Sequence, residues 1–496
     1  MTTIRIESIN AAINRANSLI DYRIYDNIHK QYNFQKQTVL SDNSLTENEK
    51  TEACITLNKI YDRSKILHND GTRRICENCK EECLATSYCE LCVRNYLKSK
   101  FLNWTSGNND IDNFIKKCQI ETIRPSSIIE WIPYEKLQNI DYLTKGGFSE
   151  IYTAKWIVGS YDEWDSKECR LKRFGGQKVI LKKLHNVENA NQSWFDEAKS
   201  HFTISNKYNN VVKCFGLTQD PLNKNYMLVM DTMYSDLRNY LQKYHNQLTW
   251  KERFYIARKI ISALRRIHDE NAIHRDLHSG NILYSPKTNN WYISDLGFCG
   301  PANKPLESIY GSLPYLAPEV ICGNKTTKAS DVYSIAILMW EISSGQPPFI
   351  NYEIDNNLAE NIVNGIRPKI ISDTPLEYMN LMVQCWDADP LKRPRIRNLQ
   401  KRLREIDLSY QGIPYESFQL DTMGETSNTN TYRRLFTSKV YRFENFLEPK
   451  NATEVEQEEF YSKLHDFCIP DDLDDINKPN NQENDTLIES NNSEAM

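Results

Sequence analysis

The chain has no long apolar run. Its best, residues 335–340, falls far short of the roughly 20 residues that span a bilayer. The opening residues, MTTIRIESIN, hold no apolar signal core, and Glu7 argues against a transit peptide. Basic residues are not in excess: the net charge is −5, so the chain lacks the electrostatic footprint of a nucleic-acid binder. A disulfide scaffold is excluded as well, because thirteen cysteines without a secretion signal point to thiols or metal in a reducing compartment. Internal repeats are missing too. The expectation is a cytoplasmic protein with neither membrane nor nucleic acid as a partner.

What is present is length and contrast. At 496 residues, 40% apolar and 26% charged, the chain can build two or three packed units. Charge is uneven: residues 451–496 carry about −11, leaving roughly +6 for the remainder. Residues 1–127 read as a helical region, with Thr46 and Glu49 as a capping box ahead of a helix reaching about Leu67. Residues 134–406 begin with β-rich runs at 139–143, 151–157, 179–184 and 226–230. Helical patterns follow, among them 250–269 and 376–386. Strands first and helices later predict an α+β domain of two lobes. Residues 409–496 are polar, Asn-rich and finally acidic, and are expected to be mostly disordered.

The chemistry lies in the middle part. Phosphoryl transfer to a hydroxyl needs a carboxylate to orient the hydroxyl and take its proton, and oxygen ligands for magnesium. In the stretch His274-Arg275-Asp276-Leu277-His278-Ser279-Gly280-Asn281, Asp276 suits the first task and Asn281 the second. Arg275 can pair with a phosphate on a nearby loop. Fourteen residues beyond Asn281, Asp295 ends an apolar strand in Asp295-Leu296-Gly297 and supplies a second magnesium ligand. Either motif alone could be ordinary loop; together they specify a site.

With those motifs, residues 134–406 resemble the protein kinase family. The resemblance implies a bilobal protein-kinase fold, with a β-rich small lobe and a helical large lobe, using ATP and magnesium on protein substrates. It implies a glycine-rich phosphate loop over residues 144–152, where Thr144 and Ser149 replace the first and third glycines around Gly146 and Gly147, and Ile151 packs on adenine. Val179-Ile180-Leu181-Lys182 matches the strand that points a lysine at the phosphates, with Ile180 beside the nucleotide and Glu197 as the partner of Lys182. Lys183 points the other way, so the strand register decides between the two. Met230 corresponds to the gatekeeper, Asp231 to Met233 to the adenine-binding hinge, and Asp236 to a ribose contact. Structural roles fall to Asp331 beneath the catalytic loop and to Glu319, within Ala317-Pro318-Glu319, paired with Arg393. Ser308, Tyr310 and Ser312 are phosphorylatable positions of the implied activation loop.

Substrate type turns on a departure. His278 stands where serine/threonine kinases usually carry lysine, while Gly311-Ser312-Leu313-Pro314-Tyr315 is nearer their substrate loop than that of tyrosine kinases. An imidazole near its reference pKa of about 6.5 is mostly neutral at pH 7, so a fixed cation is lost. The expectation is a serine/threonine-protein kinase of the tyrosine-kinase-like branch, acting in signal transduction. The motif set, an insertion at residues 159–177 and Trp104-Thr105-Ser106-Gly107-Asn108 ahead of the domain together resemble an expanded fungal kinase family. The alternative is a pseudokinase scaffold that binds partners, with or without nucleotide, and does not transfer phosphate efficiently. A small-molecule kinase fits the substrate loop less well.

A second constellation precedes the domain. Cys76, Cys79, Cys89 and Cys92 form two CxxC pairs nine residues apart within 76–92, a spacing suited to a tetrahedral zinc site. Cys83 is a fifth candidate outside that shell. A closed four-thiolate site is structural, and it would fold the knuckle and offer the N-terminal region a protein partner. The other reading is five buried thiols with no ion among them.

Overall fold

The computed structural model describes residues 4–21, 23–145, 149–184, 194–301, 309–410, 438–443 and 446–462. It divides into two compact units, Met1–Asn451 and Ala452–Met496. The first begins with three helices, α1 (Ile6–Ser18), α2 (Ile28–Leu40) and α3 (Glu47–His68). Ile9, Ile13 and Ala16, one turn apart on α1, bury themselves against Val39, Ala53 and Leu57. The expected capping box opens α3: the Thr46 hydroxyl accepts from Glu49 N at 3.3 Å, and the Glu49 carboxylate accepts from Thr46 N at 2.9 Å. Asn69, in the left-handed conformation at φ 49°, ends it. A short hairpin of β1 (Arg74–Ile75) and β2 (Glu82–Cys83) leads to α4 (Glu90–Ser99) and α5 (Asn109–Ile120).

The small lobe is a six-stranded sheet. Its strands are β3 (Glu130–Trp131), β4 (Leu137–Lys145), β5 (Ser149–Trp156), β8 (Gln177–Leu184), β9 (Cys214–Gln219) and β10 (Tyr226–Asp231), in the order β3-β9-β10-β8-β5-β4. Between β5 and β8, the inserted residues form an antiparallel hairpin, β6 (Tyr161–Asp165) with β7 (Arg170–Arg173). The four β-rich runs of the sequence all lie on sheet strands. Glu130 and Trp131 of β3 run parallel to β9 at the sheet edge. Gly216 (φ 154°) permits that approach, since a Cβ there would run into the Glu130 carbonyl. The inserted hairpin packs Leu171 with Ala85, Tyr88, Val93 and Leu97, which joins the Cys-rich region to the small lobe. Helix α6 (Trp194–Lys207) lies against the sheet, with Ala198 and Phe202 in a core that also contains Val212, Leu217 and Leu228.

The large lobe starts with β11 (Ser235–Asp236), α7 (Leu237–Tyr244) and α8 (Trp250–Asp269). Next come β12 (Ala272–Ile273), the hairpin β13 (Ile282–Ser285) and β14 (Asn290–Ile293), β15 (Gly300–Pro301) and β16 (Ile309–Gly311). Helices α9 (Pro318–Ile321), α10 (Lys328–Ser344), α11 (Asn356–Val363), α12 (Leu376–Cys385) and α13 (Ile396–Ser409) complete it. Every residue of α10 from Ser330 to Ser343 is buried, as an all-round apolar helix at the centre of a lobe should be. Within the region whose composition predicts disorder, β17 (Lys439–Tyr441) pairs antiparallel with β16. The second unit holds α14 (Glu454–Ser462), opened by its own Thr453–Glu456 cap. No helix among the described residues is long and apolar enough to cross a membrane.

Candidate active site

Strand register puts the two lysines on opposite faces. Lys182 lies opposite Ile151 on β5 and Leu228 on β10, and its Nζ is 2.7 Å from Glu197 Oε1 and 2.7 Å from Asp295 Oδ1. Lys183, on the other face, pairs with Glu150 instead, at 2.8 Å. Burial opposes the charge on Lys182, but the Asp295 and Glu197 carboxylates outweigh it and hold the ammonium above its ordinary pKa. Burial likewise opposes ionisation of Asp295; Lys182 overcomes it and holds this carboxyl below the usual range. Three elements far apart in sequence thus converge on one ion cluster.

The loop between β12 and β13 carries the second half. Asp276 is 4% exposed. Burial, reinforced by the Asp295 charge, pushes its carboxyl up to about 7. Asn281 donates its side-chain N–H to the Asp276 carbonyl at 2.8 Å, which leaves its amide oxygen as the side chain's acceptor atom. Asp331, at the start of α10, holds the loop from beneath: it accepts from His274 N at 2.8 Å, Arg275 N at 3.0 Å and His268 Nε2 at 2.8 Å. Arg275 adopts a positive φ of 71°, a strain this network sustains, and Asp295 has a positive φ of 54°. The buried Glu319 carboxylate is held by Arg393 in a bidentate pair at 2.7 and 2.8 Å.

His278 is buried, and burial followed by the Arg238 charge lowers its pKa to about 3, so the ring is neutral. Its Nδ1 accepts from Gly280 N at 3.1 Å, which places the proton on Nε2. Where a lysine would bring a cation, this chain brings a neutral N–H donor. Beside it, Ser438, from just before β17, sets its Oγ 2.8 Å from both carboxylate oxygens of Asp276 and 3.2 Å from His278 Nε2.

The remaining predicted residues are placed as follows. Ile180 faces Met230 across the sheet, and both pack with Met233 in the core shared with α6. Thr144 lies opposite Ile151, and Ser149 opens β5, while Gly146 and Gly147 lie outside the described residues. Asp231 donates its N–H to the Lys213 carbonyl at 2.9 Å and takes the Thr232 N–H on its carboxylate at 2.9 Å. Asp236 caps α7, accepting from Asn239 N at 2.8 Å and Asn239 Nδ2 at 2.7 Å, so a ribose would have to share that carboxylate. Tyr310 and Ser312 are 4% and 2% exposed and packed into the lobe, with Tyr310 stacked on Phe298 at 4.6 Å. Ser308 lies outside the described residues.

The four CxxC sulfurs of Cys76, Cys79, Cys89 and Cys92 all lie within 4.8 Å of one another. Cys76 and Cys92 are 3.7 Å apart, and Cys79 and Cys89 3.6 Å. Zn–S bonds of about 2.3 Å in a tetrahedron require sulfur separations of about 3.8 Å, so the set fits zinc. Asn78 Nδ2, 3.4 Å from Cys92 Sγ, adds the N–H···S contact expected around such a site. Cys83 falls outside this set; it groups with Cys89 and Glu90.

Two residues at the site carry no motif. His201 on α6 accepts the Leu296 N–H on Nε2 at 3.3 Å, tying the helix of Glu197 to the segment of Asp295. Its place one turn after Glu197, on the same helix face, was the available signal. Ser438 is the other, and the short β-branched and aromatic pair Val440-Tyr441 just after it was its only sign.

Residues 137–403, more than half of the chain, match the family described as protein tyrosine and serine/threonine kinase. Among curated proteins, the chain is 28% identical over 297 residues to the probable serine/threonine-protein kinase pats1 of Dictyostelium discoideum, covering 55% of this chain and 9% of that protein. It is 35% identical over 184 residues to the dual serine/threonine and tyrosine protein kinase of Mus musculus, covering 36% of this chain and 19% of that protein. The human protein of that name gives the same identity over the same length. The chain therefore spans only about a tenth to a fifth of these relatives. With the ion cluster, the catalytic loop and the matched residues in agreement, the chain belongs to the protein tyrosine and serine/threonine kinase family.

Proposed function

We propose that the chain is an ATP-dependent protein kinase that transfers the γ-phosphate to serine or threonine hydroxyls of proteins in signalling. The observation that carries this reading is the convergence of Lys182, Glu197 and Asp295 in one cluster, with Asp276 and Asn281 beside it. A scaffold could lose any of them and keep its fold; this chain keeps them all in bonding register.

The roles follow from the chemistry of each group. Lys182, held charged, would bind phosphate oxygens, and Glu197 and Asp295 position it. Asp276, with a pKa near neutrality, would orient the acceptor hydroxyl and take its proton. An amide oxygen and an ionised carboxylate suit a hard cation, so Asn281 and Asp295 fit magnesium, which when bound neutralises phosphate charge. Ile151, Ile180 and Met230 would line the adenine site, with the backbone of Asp231 and Met233 at its edge. Serine or threonine as acceptor is supported by the Gly311–Tyr315 segment and by the relatives' names, one a probable serine/threonine-protein kinase and two dual serine/threonine and tyrosine protein kinases. The cysteine cluster we assign to structural zinc.

The test is transfer from radiolabelled ATP to protein by the wild type and Asp276→Asn, followed by phosphoamino-acid analysis. The variant is expected to fall by about 10²–10⁴-fold, the usual contribution of a positioned base. Equal labelling by both proteins would remove Asp276 from the mechanism, and phosphotyrosine alone would overturn the serine/threonine assignment. Magnesium-dependent ATP binding without transfer would favour the scaffold.

A further inference from the structure

We propose that Ser438 is a phosphoacceptor of the chain's own active site, presented in cis by strand β17, and that its phosphorylation releases the strand from the substrate groove. The proposal rests on the kinase reading above. Three independent observations carry it. The first is the hydroxyl: Ser438 Oγ is 2.8 Å from each oxygen of Asp276. Its proton faces the one carboxylate placed to accept it, and its oxygen takes the Nε2–H of neutral His278 at 3.2 Å. Ser438 is only 8% exposed, so it occupies the position any acceptor hydroxyl must reach.

The second observation is the way the strand is held. β17 pairs antiparallel with β16, with Lys439 opposite Gly311, Val440 opposite Tyr310 and Tyr441 opposite Ile309. This is strand addition, in which main-chain bonds supply affinity and register places the side chain. Gly311 brings β16 close to the base: a Cβ there would sit 3.4 Å from Asp276 Oδ1 and 2.8 Å from Leu316 Cδ2. Backbone pairing thus fixes the serine at the carboxylate with no need of a dedicated side-chain pocket.

The third is the anchoring beyond the strand. The Leu447 carbonyl accepts the Cys322 thiol at 3.1 Å, and Lys450 N donates to the Val363 carbonyl at 3.1 Å. Asn451 Oδ1 accepts from Ala388 N at 2.8 Å, and its Nδ2 donates to Asp387 at 3.1 Å. Contacts of residues 438–443 and of residues 447–451 keep the acceptor at high effective concentration.

In the step itself, Ser438 Oγ forms a bond to the γ-phosphorus of ATP while the bond from that phosphorus to the bridging oxygen breaks. ADP leaves with the electron pair, and the hydroxyl proton passes to Asp276. Once Asp276 releases that proton, the product carries about −1.5 to −2 charge at Ser438, directly against the Asp276 carboxylate. Like-charge repulsion in a buried site expels the strand, and the groove opens to other proteins.

The experiment uses the full-length, phosphatase-treated protein, incubated with magnesium and ATP at several protein concentrations with casein present, and the modified residues are mapped by mass spectrometry. The expected result is phosphate on Ser438 at a rate independent of protein concentration, reduced at least a hundredfold in Asp276→Asn. Casein labelling should show a lag that Ser438→Glu abolishes. Casein phosphorylation with Ser438 unmodified would overturn the proposal while leaving the kinase reading intact. A Ser438 rate proportional to protein concentration would overturn presentation in cis, and no transfer to either acceptor would overturn both readings. Hydrogen exchange gives a readout apart from turnover. Amides of residues 439–441 should exchange at least tenfold faster in Ser438→Glu than in the unphosphorylated wild type, and equal exchange would overturn the docked strand.

Discussion

Two segments flanking the kinase residues touch the catalytic apparatus, by opposite means. Behind the small lobe, α5 packs Ile111, Ile115 and Cys118 into one core with Ala198 and Phe202 of α6, and Phe114 stacks on Phe202 at 5.6 Å. In front, residues 438–451 reach Asp276 through one hydroxyl, a short strand and a few backbone bonds. The rear contact is apolar, and separating it exposes area to water at about 25 cal/mol per Å². The front contact is polar, and each of its hydrogen bonds is worth only about 0.5–1.5 kcal/mol net because water can replace it. The first arrangement suits a permanent brace on the helix of Glu197. The second suits a contact that one chemical event can undo.

The largest expected effect comes from breaking the brace at its Cys-rich knuckle, where zinc is proposed. In small zinc modules about 10–16 kcal/mol of metal binding is folding free energy. The knuckle connects to the small lobe through Ala85 and Tyr88, which share a core with Leu171 of the inserted hairpin. Metal analysis of the purified chain should find one zinc, and Cys79→Ser or a strong chelator should remove it. Hydrogen exchange over residues 74–92 should then accelerate by orders of magnitude. A chain free of zinc, with exchange unchanged by chelation, would reduce the cluster to buried thiols.

Next is the core of the brace. Phe202 is fully buried at 0% exposure, and Phe202→Ala should cost about 3–5 kcal/mol in denaturant unfolding. Phe114, only partly buried on the other side of the stack, should cost about 2 kcal/mol as Phe114→Ala. The informative quantity is activity under conditions where Phe114→Ala remains folded. If α5 steadies the Lys182–Glu197 pair, turnover falls and the KM for ATP rises together. Unchanged kinetics would make α5 a stabilising element only.

How far the sequence discloses each side differs for a physical reason. Helix α8 begins where its apolar period does, at Trp250, because Thr249 and Glu252 cap it locally. The pairing of Lys182 with Glu197 was legible from motifs, whereas separating Lys182 from Lys183 needed the register of β8 against β5 and β10. What escaped depends on partners remote in the chain. β3 is two residues long and exists only through its parallel pairing with β9, so its pattern reads as loop. Cys76 and its three companions announce their cluster through spacing alone, whereas nothing in the spacing announces that Leu171 of the insertion would pack on the knuckle. Ser438 meets Asp276 across 162 residues, in a region whose composition predicts disorder.

The smallest stability effect belongs to the front contact, and it makes the sharpest use of the comparison. Ser438→Ala removes one hydroxyl from a strand held mainly by its backbone, so unfolding free energy should change by no more than about 1 kcal/mol. Phe202→Ala should lower activity only because the brace fails; Ser438→Ala should alter activity with the fold untouched. Without an acceptor, the strand cannot be phosphorylated and stays in the groove. Casein labelling should therefore remain slow throughout the reaction, where the wild type accelerates after its lag. The measurement is the full progress curve with a thermal melt on the same preparation. A melt matching wild type with a curve that still accelerates would place the release elsewhere than Ser438. A melt several degrees lower would mean that the front contact, like the rear one, is part of the permanent packing.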